Sequence, residues 1–169
     1  STGRPKGVAI EHRTLLNLVQ WHRRAYGLRP EDRASQLAGL AFDASVWEVW
    51  PTLATGACLE LVRDDQRTSL GDLVRWLSDR QVTVSFFPTP LAEQLQDFLG
   101  NADLNPEEAV EAPELSLRAL LTGGDRWRRG PDRELGFDWV NHYGPTENTV
   151  VATCTVVPAK PGGEPLPPI

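Results

Sequence analysis

Apolar residues recur along the chain with two alternating spacings, one typical of helices and the other typical of strands. Within residues 12–25, Leu15, Leu16, Val19 and His22 lie on one stripe, which predicts an amphipathic helix. Similar patterns predict helices at 43–56, 69–80 and 88–99. Short apolar runs predict six strands, at 34–38, 57–62, 82–87, 117–121, 139–142 and 150–156. Because helices and strands alternate, we expect an α/β fold.

Local signals indicate where several of these elements begin and end. Asp43 is placed to cap the second helix, and Gly56 is placed to end it. Pro51 lies inside that helix and is expected to bend or interrupt it. Pro88 is expected at the start of the fourth helix. Residues 101–114 are acidic and contain two prolines, which predicts an exposed connection.

Composition excludes several classes of protein. The chain has 169 residues and a net charge of −6, and its only dense basic patch, at residues 126–129, is too small to bind nucleic acid by charge. No apolar run approaches the roughly 18 residues of a membrane span. Cys58 and Cys154 lack neighbouring ligands at metal spacing, which favours reduced thiols in a cytoplasmic protein without structural zinc.

The segment 141–147, Asn-His-Tyr-Gly-Pro-Thr-Glu, combines a turn with polar and aromatic side chains. The Gly-Pro pair at 144–145 is expected to hold Tyr143 and the following residues at the mouth of a loop instead of in a strand. Tyr143 could then stack on a purine, Thr146 could bind a phosphate oxygen, and Glu147 could bind a divalent cation. The alternative is a surface turn after a strand, in which the tyrosine merely packs.

A second polar segment lies at residues 1–7, Ser-Thr-Gly-Arg-Pro-Lys-Gly, ahead of an apolar run. Its glycines let backbone amides approach an anion, its hydroxyls add donors, and Lys6 adds a positive charge. This composition is typical of a phosphate-binding loop. The spacing of its glycines and lysine differs from that of the Walker P-loop.

A third segment, Phe-Asp-Ala-Ser-Val-Trp-Glu at 42–48, completes a set of three motifs. In this order and spacing, the set resembles the adenylation domains of nonribosomal peptide synthetases, within the adenylate-forming or AMP-binding enzymes. The resemblance implies that residues 1–169 are an internal part of the large N-terminal subdomain, with mixed sheets flanked by helices. The start of the domain and its small C-terminal subdomain would lie outside, and the isolated segment is expected to be inactive.

The resemblance also implies a pocket for an amino acid, in which Asp43 pairs with the α-ammonium group of the substrate. The matched lining residues are Asp43, Ala44, Trp47, Phe86, Leu121, Gly123, His142, Val150 and Val151. Most are apolar, and the set is similar to a leucine-activating pattern except at His142, where an amide is expected. His142 could shrink the pocket, hydrogen-bond a polar group of the substrate, or cap a loop that faces adenine.

For the nucleotide, the resemblance implies ATP and Mg²⁺, with Thr2, Gly3 and Lys6 at the pyrophosphate end. It places Tyr143 against the adenine, Thr146 at the α-phosphate and Glu147 on the magnesium ion. The remaining implied nucleotide neighbours are Gly124, Asp125, Asn141 and Gly144. The catalytic residues would be Thr2, Lys6, Thr146 and Glu147.

The implied partners are a peptidyl carrier domain, whose phosphopantetheine thiol accepts the aminoacyl group, and a condensation domain of the same synthetase. Two alternatives stay open: a stand-alone acyl- or aryl-CoA ligase of the same superfamily, against which Asp43 argues, and a non-catalytic nucleotide-binding remnant. The tryptophans outside the motifs are interpreted as packing residues; they are Trp21, Trp50, Trp76, Trp127 and Trp139.

Overall fold

The computed structural model describes residues 7–67, 69–101, 113–163, 165 and 167–168. Six strands form one sheet in the order β2-β1-β3-β4-β5-β6, in which β6 is antiparallel to β5 and the other neighbours are parallel. The strands are β1 Arg33–Gln36, β2 Cys58–Leu61, β3 Val84–Pro88, β4 Ala119–Gly123, β5 Asp138–Tyr143 and β6 Thr153–Val157. The helices are α1 His12–Ala25, α2 Ala44–Thr55, α3 Leu70–Asp79 and α4 Thr89–Asn101. The predicted α/β fold is confirmed.

Successive strand residues point to opposite faces of the sheet, and each face has its own apolar core. Phe86 and Leu121 pack in the cluster that includes Leu18 of α1 and Trp47 of α2. Phe87 belongs to the cluster that α3 and α4 cover. Helices therefore cover both faces of the sheet, as the parallel connections require.

The second helix is attached to the sheet by a buried carboxylate. The Glu48 side chain is 6% exposed and accepts hydrogen bonds from the backbone amides of Leu37 and Ala38, both at 2.9 Å. Burial raises the pKa of Glu48 to about 7, although these amide bonds act in the opposite direction. This contact fixes the N-terminal half of α2 against the end of β1.

The helix α2 is continuous through Pro51, so the expected interruption is wrong. Proline lacks only the one N–H that would bond to the carbonyl of Trp47. Nearby, the Thr52 hydroxyl donates to the carbonyl of Glu48 at 2.6 Å, and the Thr55 hydroxyl donates to the carbonyl of Pro51 at 2.8 Å. Because the Pro51 side chain is itself buried, packing holds the helix across the missing bond. The predicted end of the helix at Gly56 is confirmed, with φ +82° at this glycine.

Several strand and helix ends differ from the prediction. The last strand begins at Thr153 instead of residue 150, because Thr149 and Val150 adopt φ of +58° and +73°, which no strand tolerates. Pro88 ends β3, and α4 begins one residue later. Tyr143 lies in β5, paired with Thr153, so the expectation that it leaves the strand is wrong.

Two further predictions concern the connections. The expected exposed connection at 101–114 falls mostly on residues 102–112, which lie outside the described residues. Within the described part of the chain, no helix is both long enough and apolar enough to cross a membrane.

Candidate functional site

The candidate site lies where the parallel strands β3, β4 and β5 end. Gly123 is the register partner of both Pro88 and His142, so the ends of these three strands lie side by side. In open α/β sheets, ligands bind beyond the carboxyl ends of the strands. The N-terminus of α2 and the loop after β5 form the opposite wall, and the sheet edge and this wall enclose a cavity of about 60 Å³.

This cavity brings together residues that are far apart in sequence. Its lining includes all of the predicted substrate-binding residues except Leu121, together with Gly124 and Gly144. Leu121 is buried in the apolar cluster that also contains Trp47 and Phe86. The structure thus assembles the predicted pocket in space, while its use for an amino acid stays a prediction.

Asp43 lies at the N-cap position of α2, but its side chain does not cap the helix. Its backbone is already helical, with φ −63° and ψ −26°, and within the described chain no side-chain cap bond forms. The Thr146 hydroxyl instead donates to Asp43 Oδ2 at 2.5 Å. The capping prediction for Asp43 is therefore wrong, and its carboxylate connects α2 to the loop that follows β5.

His142 forms a buried, neutral part of the cavity wall. It is 5% exposed, and its ring lies edge-on to that of Trp47, with ring centroids 4.7 Å apart. Its Nδ1 lies 3.0 Å from the carbonyl oxygen of Thr122, and its Nε2 is hydrogen-bonded to the Tyr26 hydroxyl. Burial lowers the pKa of His142 to about 4. Both ring nitrogens have protein partners, which favours the role of shrinking the pocket.

Two glycines allow the backbone to close tightly around this cavity. A Cβ on Gly144 would lie 2.1 Å from the carbonyl oxygen of Val150. A Cβ on Gly123 would lie 2.7 Å from the carbonyl oxygen of His142. Both distances are shorter than any van der Waals contact allows, so glycine is required at each position by the packing of the chain itself.

The predicted nucleotide residues lie along the same edge. Tyr143, the last residue of β5, is 56% exposed, so a ring face is open to a base. Gly124 adopts φ +91° in the turn after β4. The backbone carbonyl of Asp125 accepts a hydrogen bond from the Thr89 hydroxyl at 3.1 Å, which ties this turn to the start of α4.

Asn141 has a different environment from the other predicted nucleotide neighbours. It is buried, and its side-chain amide donates to the carbonyl of Pro168 at 2.9 Å. Because it neighbours His142 in β5, its side chain points to the opposite face of the sheet. In this structure Asn141 therefore holds Pro168, and it does not line the cavity.

Glu147 is an exposed carboxylate in the 3₁₀ turn Thr146–Asn148. It faces a cavity of about 400 Å³ that Arg13 and Asn17 of α1 also line. Among the described residues, no three His, Cys, Asp or Glu side chains lie close enough to form a metal site by themselves. A single exposed carboxylate fits Mg²⁺, which usually takes one or two protein carboxylates together with phosphate oxygens and water.

Some predictions have no counterpart in the described structure, or differ from it. Thr2, Gly3 and Lys6 lie outside the described residues, so their role at the pyrophosphate stays a prediction. Trp50, interpreted from the sequence as a packing residue, is 50% exposed and lines a cavity of about 340 Å³ together with Asp43.

No sequence motif marks Tyr26 as part of the site, and His22 is predicted only as part of the stripe of α1. Tyr26 lies at the C-cap of α1, a position without a strong local signal, and reaches His142 across 116 residues. His22 is buried beside Tyr26 and Trp47, with ring centroids 4.7 and 5.8 Å away. Burial and the nearby His142 lower the pKa of His22 to about 3. These residues form an aromatic layer behind the cavity.

Known proteins are similar to this chain over nearly its whole length. The model of the AMP-binding enzyme family matches residues 1–169. One of the linear gramicidin synthase proteins of Brevibacillus parabrevis is 49% identical over 170 residues, which cover 100% of this chain and 3% of that protein. Surfactin synthase subunit 1 of Bacillus subtilis (strain 168) is 41% identical over 162 residues, which cover 96% of this chain and 4% of that protein.

Solved structures agree in fold and sequence. A crystal structure of the nonribosomal peptide synthetase FmoA3 matches with a TM-score of 0.77 and 29% identity, over 98% of this chain and 18% of that one. The AMPPNP-bound form of FmoA3 matches with a TM-score of 0.75 over the same fractions. The chain thus spans only a small part of the proteins it matches. From the family match and these similarities, the chain belongs to the AMP-binding enzyme family.

Proposed function

We propose that this chain is the substrate-selecting part of an amino-acid adenylation domain in a nonribosomal peptide synthetase. The parent enzyme activates a hydrophobic, leucine-like amino acid with ATP and transfers the aminoacyl group to the phosphopantetheine thiol of a carrier domain. The observation that carries this proposal is a carboxylate, Asp43, on the wall of a cavity whose remaining side chains are almost all apolar.

The carboxylate supports an amino acid as the substrate. Asp43 is half-buried, and one of its oxygens accepts the Thr146 hydroxyl. An ionised carboxylate has about four lone-pair sites, so Asp43 retains acceptor capacity for the α-ammonium group. Fatty and aryl acids offer no cation for this carboxylate. The residue therefore argues against an acyl- or aryl-CoA ligase.

The wall supports a hydrophobic side chain on that amino acid. Trp47 and Phe86 are buried, and their rings lie 5.4 Å apart on one side of the cavity. Both nitrogens of His142 are hydrogen-bonded within the protein. A polar substrate side chain would find few partners here, and burying it unpaired would cost about 2–7 kcal/mol. Leucine fits this wall. Discrimination between leucine and an amino acid that differs by one methylene is worth only about 1–3 kcal/mol.

The exposed edge of the site supports ATP as the second substrate. Tyr143 offers a ring face to adenine, and the turn at Gly124 and Asp125 lies beside it at the ends of the strands. The similarity to the AMPPNP-bound FmoA3 favours the same assignment. Glu147 would hold Mg²⁺, which offsets negative charge on the phosphates when bound. Thr2, Gly3 and Lys6 are proposed to bind the pyrophosphate end.

The residues would act mainly by positioning the reacting groups. Asp43 holds the ammonium group, so that the substrate carboxylate reaches the α-phosphorus of ATP. The carboxylate oxygen forms the new bond to phosphorus, the bond to the bridging oxygen breaks, and pyrophosphate leaves. Thr146 lies next to Asp43, and when ATP binds its single hydroxyl hydrogen would turn from Asp43 to an α-phosphate oxygen. In the second step, the thiol sulfur bonds to the aminoacyl carbonyl carbon, the bond from that carbon to the phosphate oxygen breaks, and AMP leaves as the thiol proton is released.

The wider assignments follow from the same proposal. Residues 1–169 are part of one adenylation domain that is completed by the rest of the large subdomain and by a small C-terminal subdomain, and alone they do not adenylate. Its partners are a peptidyl carrier domain and a condensation domain. The synthetase is placed in the cytoplasm, where the exposed thiols of Cys58 and Cys154 stay reduced.

The test compares two acceptors for the activated group. A complete adenylation domain carrying this segment is incubated with leucine, ATP and Mg²⁺, together with either its carrier domain in the phosphopantetheine form or free coenzyme A. The proposal expects a leucyl thioester on the carrier, detected by intact-protein mass spectrometry, and little leucyl-CoA. Formation of an acyl-CoA from a plain carboxylic acid, with no leucyl carrier, would instead establish a CoA ligase.

A further inference from the structure

A second, smaller cavity lies behind the wall of the candidate site. Its volume is about 10 Å³, and residues of α1, α2 and the sheet line it. Trp47 and Phe86 line both this cavity and the one of about 60 Å³, so they form a wall that the two cavities share. The apolar part of the remaining lining comes from the strands, at Ala34, Val84 and Leu121.

Two residues of this lining carry buried nitrogen atoms that have no protein partner. Trp47 is 2% exposed and His22 is 4% exposed. Among the described residues, neither the indole N–H of Trp47 nor Nδ1 of His22 forms a hydrogen bond. The two rings lie edge-on, with centroids 5.8 Å apart. Because buried polar atoms nearly always bond to protein or to ordered water, these two nitrogens indicate a bound partner.

Polar side chains of α2 complete the surroundings that a water molecule needs, which are two to four hydrogen-bonding partners. The Thr52 hydroxyl gives its hydrogen to the carbonyl of Glu48 at 2.6 Å, so its oxygen can only accept from a further partner. The Glu48 carboxylate accepts two backbone amides and keeps lone pairs for others. Ser35 also borders the cavity, but its hydroxyl is paired with that of Ser85 at 2.6 Å.

We propose that this cavity binds one water molecule, which accepts the indole N–H of Trp47 and bridges it to Nδ1 of His22. A volume of about 10 Å³ is close to what one water molecule needs and leaves no room for a larger ligand. Burial lowers the pKa of His22 to about 3, so its ring is neutral. Water can donate to Nδ1 or accept from it, so either tautomer fits. A remaining hydrogen of the water bonds to Thr52 or Glu48.

The water lies on the side of Trp47 that faces away from the candidate site and holds this part of the wall in place. The site is defined by the side chains around it and goes beyond the proposed function. Its tests need no amino-acid-dependent reaction, so their failure and the failure of the proposed function are separate results.

A crystal structure of a complete adenylation domain carrying this segment, at a resolution that shows ordered water, tests the site directly. The proposal expects one water at about 2.7–3.2 Å from both Trp47 Nε1 and His22 Nδ1. Absence of density there, or a protein atom bonded to either nitrogen, overturns the proposal. An indole N–H directed at the ring face of Phe86 or His142 also overturns it, because such a contact would replace the water.

Nuclear magnetic resonance tests the same site in solution. With ¹⁵N-labelled tryptophan, the indole signal of Trp47 is assigned by its loss in Trp47→Phe. In the wild type, the indole hydrogen should show a nuclear Overhauser effect to water, with the sign of a long-lived bound molecule. Thr52→Val should keep this effect, since the hydroxyl is then excluded as its source and the water retains both nitrogens. Absence of the effect in either protein overturns the proposal.

Filling the cavity provides a matched comparison. Ala34 borders the cavity from β1, and Ala34→Val adds two methyl groups to that residue. Ala119→Val makes the same change on β4, in the same apolar cluster but outside the lining of this cavity. Ala34→Val should abolish the effect between the indole hydrogen and water and lower the thermal unfolding midpoint, because both nitrogens lose their partner. Ala119→Val should keep the effect.

Two results of this comparison would overturn the proposal. One is a water signal that persists unchanged in folded Ala34→Val, because the water would then lie elsewhere. The other is a higher unfolding midpoint in Ala34→Val, which is expected when an apolar group fills a cavity without displacing water. If Ala34→Val fails to fold, the crystal structure and the spectrum of the wild type still decide.

Discussion

Replacing Asp43 by asparagine removes one negative charge from the cavity wall and almost nothing else. Asparagine keeps the shape of the side chain, and its oxygen can still accept the Thr146 hydroxyl, which donates to Asp43 Oδ2 at 2.5 Å. No side-chain cap of α2 is lost, since Asp43 forms none in the described structure. The substitution therefore isolates the electrostatic role of Asp43 from its structural one.

The size of the effect follows from the bond that is weakened. Hydrogen bonds to charged groups contribute about 1.5–3 kcal/mol. Because about 1.4 kcal/mol corresponds to a factor of ten, Asp43→Asn should lower kcat/KM for leucine by roughly 10- to 150-fold. The thermal unfolding midpoint should stay close to that of the wild type, because the packing around residue 43 is unchanged.

The assay is leucine-dependent ATP–pyrophosphate exchange in a complete adenylation domain. Asp97→Asn provides the matched control, because Asp97 on α4 pairs with Arg129 at 2.7 Å on the exposed surface. Loss of that exposed ion pair should lower the free energy of unfolding by about 0–1 kcal/mol and leave the rate of pyrophosphate exchange unchanged. If Asp43→Asn retains leucine activation within twofold of the control, the assignment of Asp43 to the ammonium group is refuted.

Glu48, Gly144 and Glu147 give three further tests. Because the pKa of Glu48 is raised from 4.5 to about 7, the unfolded chain loses its proton first, so stability should fall by on the order of 3 kcal/mol between these pH values. In Glu48→Gln, the free energy of unfolding measured with urea should not show that fall. If it falls with pH as steeply in the variant as in the wild type, Glu48 is not the cause. Gly144→Ala should lower the free energy of unfolding by about 1–3 kcal/mol, because the new Cβ would lie 2.1 Å from a carbonyl oxygen. Gly71→Ala should raise the free energy of unfolding by about 0.5–1 kcal/mol, because Gly71 lies in α3 with open space around it. Equal effects of the two glycine substitutions would be inconsistent with the packing. Glu147→Gln should raise the Mg²⁺ concentration for half-maximal exchange about tenfold and leave KM for leucine unchanged; an unaltered magnesium dependence would remove Glu147 from the metal site.

The sequence predicts best those helix bounds that depend on residues within the helix or next to its ends. The bounds of α1 match the prediction because its apolar stripe is long and regular. The start of α3 follows from a local cap, in which the Ser69 hydroxyl accepts from the Asp72 amide at 3.1 Å. Gly56 ends α2 for a reason that is equally local, its positive φ.

Features that depend on distant contacts could not be predicted in this way. Thr149 and Val150 adopt positive φ although β-branched residues rarely do, and a pattern of apolar residues gives no warning of this turn. Asp43 has an ordinary capping position, and only its contact with Thr146, 103 residues later, shows that its side chain points elsewhere. Tyr26 likewise acquires a partner 116 residues away. The motifs predicted most of the residues that line the cavity of about 60 Å³, whereas tertiary structure determined their hydrogen bonds.

The most direct test of the central claim is ATP–pyrophosphate exchange by a complete wild-type adenylation domain carrying residues 1–169, measured with each proteinogenic amino acid in turn. The account predicts strong exchange with leucine, weaker exchange with other medium-sized aliphatic amino acids, and little with charged ones. A preference for a charged amino acid would contradict the apolar pocket, and exchange that depends on no amino acid would contradict amino-acid activation itself.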